Sequence, residues 1–123
     1  MKTDLELLKA AANAAGITII RSRLDDPMHC DLLITLSVRN PHHNFGGWNP
    51  LTDDGDALRL CASLRINVEY IRTMGGIDAG VNAWPAGHGD CGMTVEGDDA
   101  AMCARRAIVL AAAAMVAGYP GAV

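Results

Sequence analysis

A chain of 123 residues, half of them hydrophobic and 20% charged, has enough apolar material for one core and lies outside the disordered range. Only 4% of its residues are aromatic, so that core is expected to be aliphatic, built from Leu, Ile, Val, Met and many Ala. A formal charge of −4 argues against direct nucleic-acid binding, which basic phosphate contacts drive, and the most apolar run, residues 107–117, is shorter than the roughly 20 residues that a bilayer requires.

Thr3-Asp4-Leu5-Glu6 has the spacing of a capping box, in which a hydroxyl and a glutamate three residues on satisfy the free amides of a helix start. Leu5, Leu8, Ala12 and Ala15 follow at helical spacing, and Gly16 stands where a C-terminal cap belongs. Residues 17–23 are rich in β-branched side chains and end in the turn signal Asp25-Asp26-Pro27. In residues 31–39, Leu32, Ile34, Leu36 and Val38 alternate with Thr35, Ser37 and Arg39, which predicts a half-buried strand in an antiparallel hairpin with its predecessor. Residues 40–47 are rich in turn formers and are expected to form a loop, with Gly46-Gly47 as turn residues. Pro50 restricts Asn49 to extended geometry. Thr52 or Asp53 then caps a second helix, whose buried stripe is expected to be Ala57, Leu58, Cys61 and Leu64. Ile66, Val68 and Tyr70 alternate as a third strand, with Met74-Gly75-Gly76 and Gly80 supplying turn residues before a fourth at 81–84 and a short fifth at 93–96. Asp98 or Asp99 caps a last helix that reaches Val116 and ends at Gly118 and Pro120.

The order is α-β-β-α-β-β-(β)-α. It predicts a single α+β domain over residues 1–123, with an antiparallel sheet of four to five strands packed with three helices. No signal peptide is predicted, so the expected location is the cytoplasm. There Cys30, Cys61, Cys91 and Cys103 are expected to stay reduced.

The thirteen residues Trp48-Asn49-Pro50-Leu51-Thr52-Asp53-Asp54-Gly55-Asp56-Ala57-Leu58-Arg59-Leu60 combine a proline-flanked tryptophan, an acidic helix start and an amphipathic helix. The carboxylates of Asp53, Asp54 and Asp56 echo a calcium loop, but the pattern lacks the alternating ligands and the distal Glu of such a loop. Helix capping and compensation of the helix dipole account for them. Trp48 reads as a packing anchor that closes the preceding loop onto the helix. Arg105 and Arg106 read as a solvated helix face.

This central motif resembles a family of small uncharacterised phage and prophage proteins of proteobacteria. The resemblance extends to the Ala15-Gly16-Ile17 end of the first helix and to Arg105-Arg106-Ala107-Ile108-Val109 in the last. It implies a phage or prophage gene product acting inside a bacterial cell, and it brings no activity, cofactor or catalytic residue. The chain departs from the family pattern in the loop Pro41-His42-His43-Asn44-Phe45 and in the Gly-rich segment near His88.

The expected function is that of a non-enzymatic accessory protein that binds a host or phage macromolecule, with a protein as its partner and no cofactor. His42, His43, Phe45, Trp48 and His88 are the candidate binding residues. A second reading is a small metal- or thiol-dependent enzyme in which His42, His43, His88 and Cys91 converge. Only His88-x-x-Cys91 approaches a zinc-ligand spacing. A third reading is a structural homo-oligomer that packs the small-residue face of the last helix, Ala107, Ala111 and Ala114, against a twin.

Overall fold

A computed structural model describes residues 2–36, 45–72, 79–88 and 92–117. The chain is α+β. It runs α1 (Asp4–Ala15), β1 (Ile19–Arg23), β2 (Asp31–Thr35), β3 (Phe45–Trp48), α2 (Asp54–Ser63), β4 (Ile66–Ile71), β5 (Gly80–Pro85), β6 (Met93–Glu96) and α3 (Ala100–Ala117). The strands form two three-stranded antiparallel sheets, ordered β1-β2-β3 and β4-β5-β6. The expectation of one sheet of four to five strands is therefore corrected. The segment 45–48, expected to be loop, pairs with the open side of β2 and completes a first sheet before the chain enters α2.

The helix ends follow the sequence signals closely. The Glu6 amide donates to Thr3 Oγ1 at 3.2 Å, and Gly16 closes α1 in the left-handed region at φ 72°, where a Cβ would be strained. Asp53, rather than Thr52, caps α2, accepting from the Asp56 amide at 2.8 Å. At α3, Asp99 takes that part, its carboxylate accepting from the Met102 amide at 3.0 Å.

The core is one continuous cluster. Leu7, Leu8, Ala11 and Ala12 of α1 meet Leu32, Ile34 and Trp48 of the first sheet, Leu60 of α2, Val81 and Ala83 of β5, and Cys103, Ala107, Val109 and Ala112 of α3. α3 packs on α1, on α2 and on all three strands of the second sheet. Its alanines serve this role: Ala107, Ala111 and Ala112 are fully buried, because small side chains let helices approach closely. Ala107 and Ala111 are thus occupied within the chain, and only the half-buried Ala114 is left of the helix face expected to meet a twin. No described helix is long and apolar enough to cross a membrane.

Two further expectations are corrected. Of the expected α2 stripe, Ala57 is buried and Cys61 and Leu64 pack half-buried against the core, but Leu58 is 69% exposed, and Asp56 and Leu60 complete the inner face. α2 turns a polar edge, carrying Asp56, into the structure because that carboxylate has buried work to do. Gly46 and Gly47 are strand residues, not a turn. Gly47 is needed because a Cβ there would collide with the Asp31 carboxylate, which pairs with Arg23 across the sheet face.

Candidate functional site

The motif residues build a polar knot between the first sheet and α2. Asn49 sits at its centre, buried. Its backbone amide donates to Asp56 Oδ2 at 2.9 Å, its side-chain Nδ2 donates to the Cys30 carbonyl at 2.8 Å, and its Oδ1 accepts from the Leu51 amide at 3.0 Å. Its own carbonyl receives the amides of Thr52 and Asp53. Pro50, fully buried, holds the preceding residue in the extended conformation that makes this geometry available.

Asp56 is held from the other side by Arg59, whose Nη2 donates to Oδ1 at 2.7 Å. The same nitrogen lies 3.8 Å from Asp53. The third carboxylate, Asp54, accepts from Arg105 Nη1 at 2.7 Å, while Arg105 Nε donates to the Leu51 carbonyl at 2.9 Å. The reading of Arg105 as solvated surface is therefore corrected: it clamps the last helix onto the central motif. Arg106 reaches Asp4 at the start of α1, at 3.3 Å. Each member of the acidic cluster has an intramolecular partner, and no buried side-chain polar atom among the described residues lacks one.

Two concave regions flank this knot and share Gly47, Trp48, Asp56 and Arg59. The first is a polar recess of about 400 Å3, reaching His29, Cys30 and Asp31. The second is a mixed crevice of about 520 Å3, floored by Ile34, Trp48 and Leu60 and edged by Leu36, Ser63 and Arg59. Trp48 is 4% exposed, so it is the packing anchor expected and contributes a wall rather than a free platform.

Beside the recess, His29 Nδ1 lies 2.7 Å from Asp26 Oδ2. That hydrogen bond, helped by the Met28 amide, holds the Asp26 carboxyl below the usual carboxylate range. Cys30 is exposed, but its thiol donates to the Asp26 carbonyl at 3.2 Å, so it forms no nucleophile–base pair with its neighbour. Its backbone is in the left-handed region at φ 51°, with its carbonyl captured by Asn49. Cys61 donates to the Ile66 carbonyl at 3.0 Å, and burial pushes its thiol pKa up. Cys30, Cys61 and Cys103 are all free thiols.

Of the candidate binding residues, Phe45 opens β3 and is 55% exposed. His88, half-buried, closes the turn after β5 by donating its amide to the Pro85 carbonyl at 2.9 Å. It lines neither region beside the motif. His42, His43 and Cys91 lie outside the described residues. Among the described residues no group of three His, Cys, Asp or Glu side chains could hold a metal ion.

Asn49 and Arg59 escaped the sequence reading as site-builders. An Asn before Pro suggested only an extended backbone. For Arg59 the available signal was its position three residues after Asp56 on a helix. No known protein family matches the sequence, and neither a curated protein nor a solved structure matches it.

Proposed function

We propose that this chain is a phage- or prophage-encoded accessory protein that acts without catalysis by binding a host or phage protein. The binding region is the end of the first sheet beside the mixed crevice. The observation that carries this reading is a pair of exposed apolar side chains, Leu36 at 64% and Phe45 at 55%, at the ends of the connector 37–44 that bears His42 and His43. Leu36 lines the crevice, while strand alternation puts Phe45 on the opposite face of its sheet. An apolar wall with a few polar groups, here Arg59, Asp56 and Ser63, is the usual make-up of a recognition site. The net charge of −4 favours a basic partner surface through long-range attraction.

Affinity capture from bacterial lysate tests the reading when the native chain is run beside Leu36→Asp and Phe45→Asp. The expected outcome is one partner retained by the native chain and lost with both variants, with binding weakened by raised salt. Recovery of nothing above background by the native chain counts against the proposal, as does equal recovery by all three.

A further inference from the structure

The second sheet ends in an edge that differs from the other three. β4 is six residues long, Ile66-Asn67-Val68-Glu69-Tyr70-Ile71, and pairs only with β5 among the described residues. Exposed strand edges attract other strands, and natural sheets blunt them with bulges, charged side chains, proline, brevity or a covering helix. β1 carries an irregularity between Ile19 and Arg21 and two arginines. β3 and β6 have four residues each. β4 is longer, pairs with β5 without a bulge and lacks proline; it carries one charge, Glu69, and α2 reaches its first outward carbonyl, that of Ile66, through Cys61.

The direction of its backbone groups follows from the pairing. The Arg65 carbonyl accepts the Ala86 amide at 2.8 Å, and Ile66 stands opposite Pro85, which has no amide hydrogen. In an antiparallel pair such groups alternate, so Asn67, Glu69 and Ile71 bond to β5, while Ile66, Val68 and Tyr70 point their amides and carbonyls away from it. The Ile66 carbonyl does so, since it receives the Cys61 thiol. The side chains of Ile66, Val68 and Tyr70 line an apolar groove of about 520 Å3 between α2, β4 and the first half of α3. Leu58 and Tyr70, 69% and 61% exposed, stand along it.

We infer that β4 is a homodimer interface, at which the β4 strands of two copies pair antiparallel about a two-fold axis through Val68. Of the two-fold registers that use the outward amides, this one sets Val68 on Val68 and Tyr70 on Ile66. On the other face it sets Asn67 of each copy directly opposite Glu69 of its twin. These are the non-hydrogen-bonded positions, where side chains approach most closely, so each carboxylate meets one amide donor and the contact occurs twice in the dimer. Of the two registers one pair away, one places Glu69 against Glu69 and is disfavoured by like charge, and the other places Asn67 against Asn67 and forfeits the Asn67–Glu69 contacts. The two grooves then join into one apolar layer containing Leu58 and Tyr70 from both copies. A self-complementary patch of this kind is what an isologous two-fold contact requires. The inference is independent of the Leu36–Phe45 region, which lies on the first sheet.

Sedimentation equilibrium of the native chain over a wide concentration range is expected to show a reversible dimer of the 12.9 kDa monomer. Val68→Pro removes an outward amide that the β4–β5 ladder does not use, and is expected to weaken association at least tenfold with circular dichroism unchanged. Asn67→Glu opposes Glu69 with like charge and is expected to weaken the dimer. Asn67→Lys is expected to tighten it, in a manner that salt reverses. A native chain that stays monomeric throughout overturns the inference. So does a dimer indifferent to Val68→Pro and to both Asn67 variants, which would place the contact elsewhere. Should Val68→Pro alter the fold, the opposed effects of Asn67→Glu and Asn67→Lys decide the matter, because both leave the backbone intact.

Discussion

The polar recess beside the Asn49 knot, about 400 Å3, and the apolar groove beside β4, about 520 Å3, are opposite in chemistry. In the knot Asn49, Asp53, Asp54, Asp56, Arg59 and Arg105 satisfy one another. In the groove Leu58 and Tyr70 are exposed, and among the described residues no strand pairs with the outer side of β4. Conspicuous polar residues need not mark a working surface. Those that have found partners inside the chain fix geometry, while capacity for a new contact stays with exposed apolar area and unpaired backbone. By that criterion the motif is the frame, and the strand ends and edges around it are the surfaces proposed for binding.

This contrast can be broken at several points. Trp48→Ala should be the most damaging single change, costing about 3–5 kcal/mol as a large side chain leaves a cavity in the core, read by denaturant titration. Asp56→Ala should cost about 2–3 kcal/mol, because the buried Asn49 amide loses its acceptor. A loss below 1 kcal/mol would show that the knot is not what holds α2 to the first sheet. Gly47→Ala should cost about 1–2 kcal/mol through crowding of the Asp31–Arg23 pair. In an Asp31→Ala background most of that cost should vanish, and a double-mutant cycle reads the difference. On the groove side, Leu58→Asp should move monomer stability by no more than about 0.5 kcal/mol while suppressing self-association. A large stability loss would mean that the groove is ordinary core.

The smallest effect concerns acid. The Asp26 carboxyl is held below its ordinary value by His29 and by the Met28 amide. Whatever stability it lends to the turn is therefore present above the unfolded carboxyl pKa, near 3.9, and is lost as pH falls through the lower folded value. The Met28 amide resonance should report a midpoint below the ordinary carboxyl value, and a midpoint at or above that value would remove the interaction from the account.

The local elements were legible in the sequence because their signals are local. Thr3 with Glu6, Gly16, Asp53 and Asp99 are caps whose partners lie within four residues, so periodicity and cap chemistry suffice. The β1–β2 hairpin was legible from β-branched and alternating runs, although β2 ends at Thr35 and Leu36, expected on the buried face, is 64% exposed. β3 was not, since Phe45-Gly46-Gly47-Trp48 is poor in strand formers and looks like a turn. Its glycine is explained only by the Asp31 carboxylate, sixteen positions away. Leu58 looked buried because its spacing suited a stripe, but the polar task of Asp56 rotates the inner face of α2. Arg105 looked solvated because its partners, Leu51 and Asp54, lie some fifty residues away.

What the sequence determined by itself was the α+β class, the three helices with their caps, the aliphatic core and Trp48 as its anchor. Each rests on composition or on interactions within a few residues. Tertiary structure alone decided that the strands divide into two sheets and that Arg105 ties α3 to the motif. It also decided that Ala107, Ala111 and Ala112 of α3 are buried inside the chain, and that β4 has an edge with no strand beside it among the described residues. These are outcomes of long-range pairing, in which a residue's role depends on what the fold brings beside it.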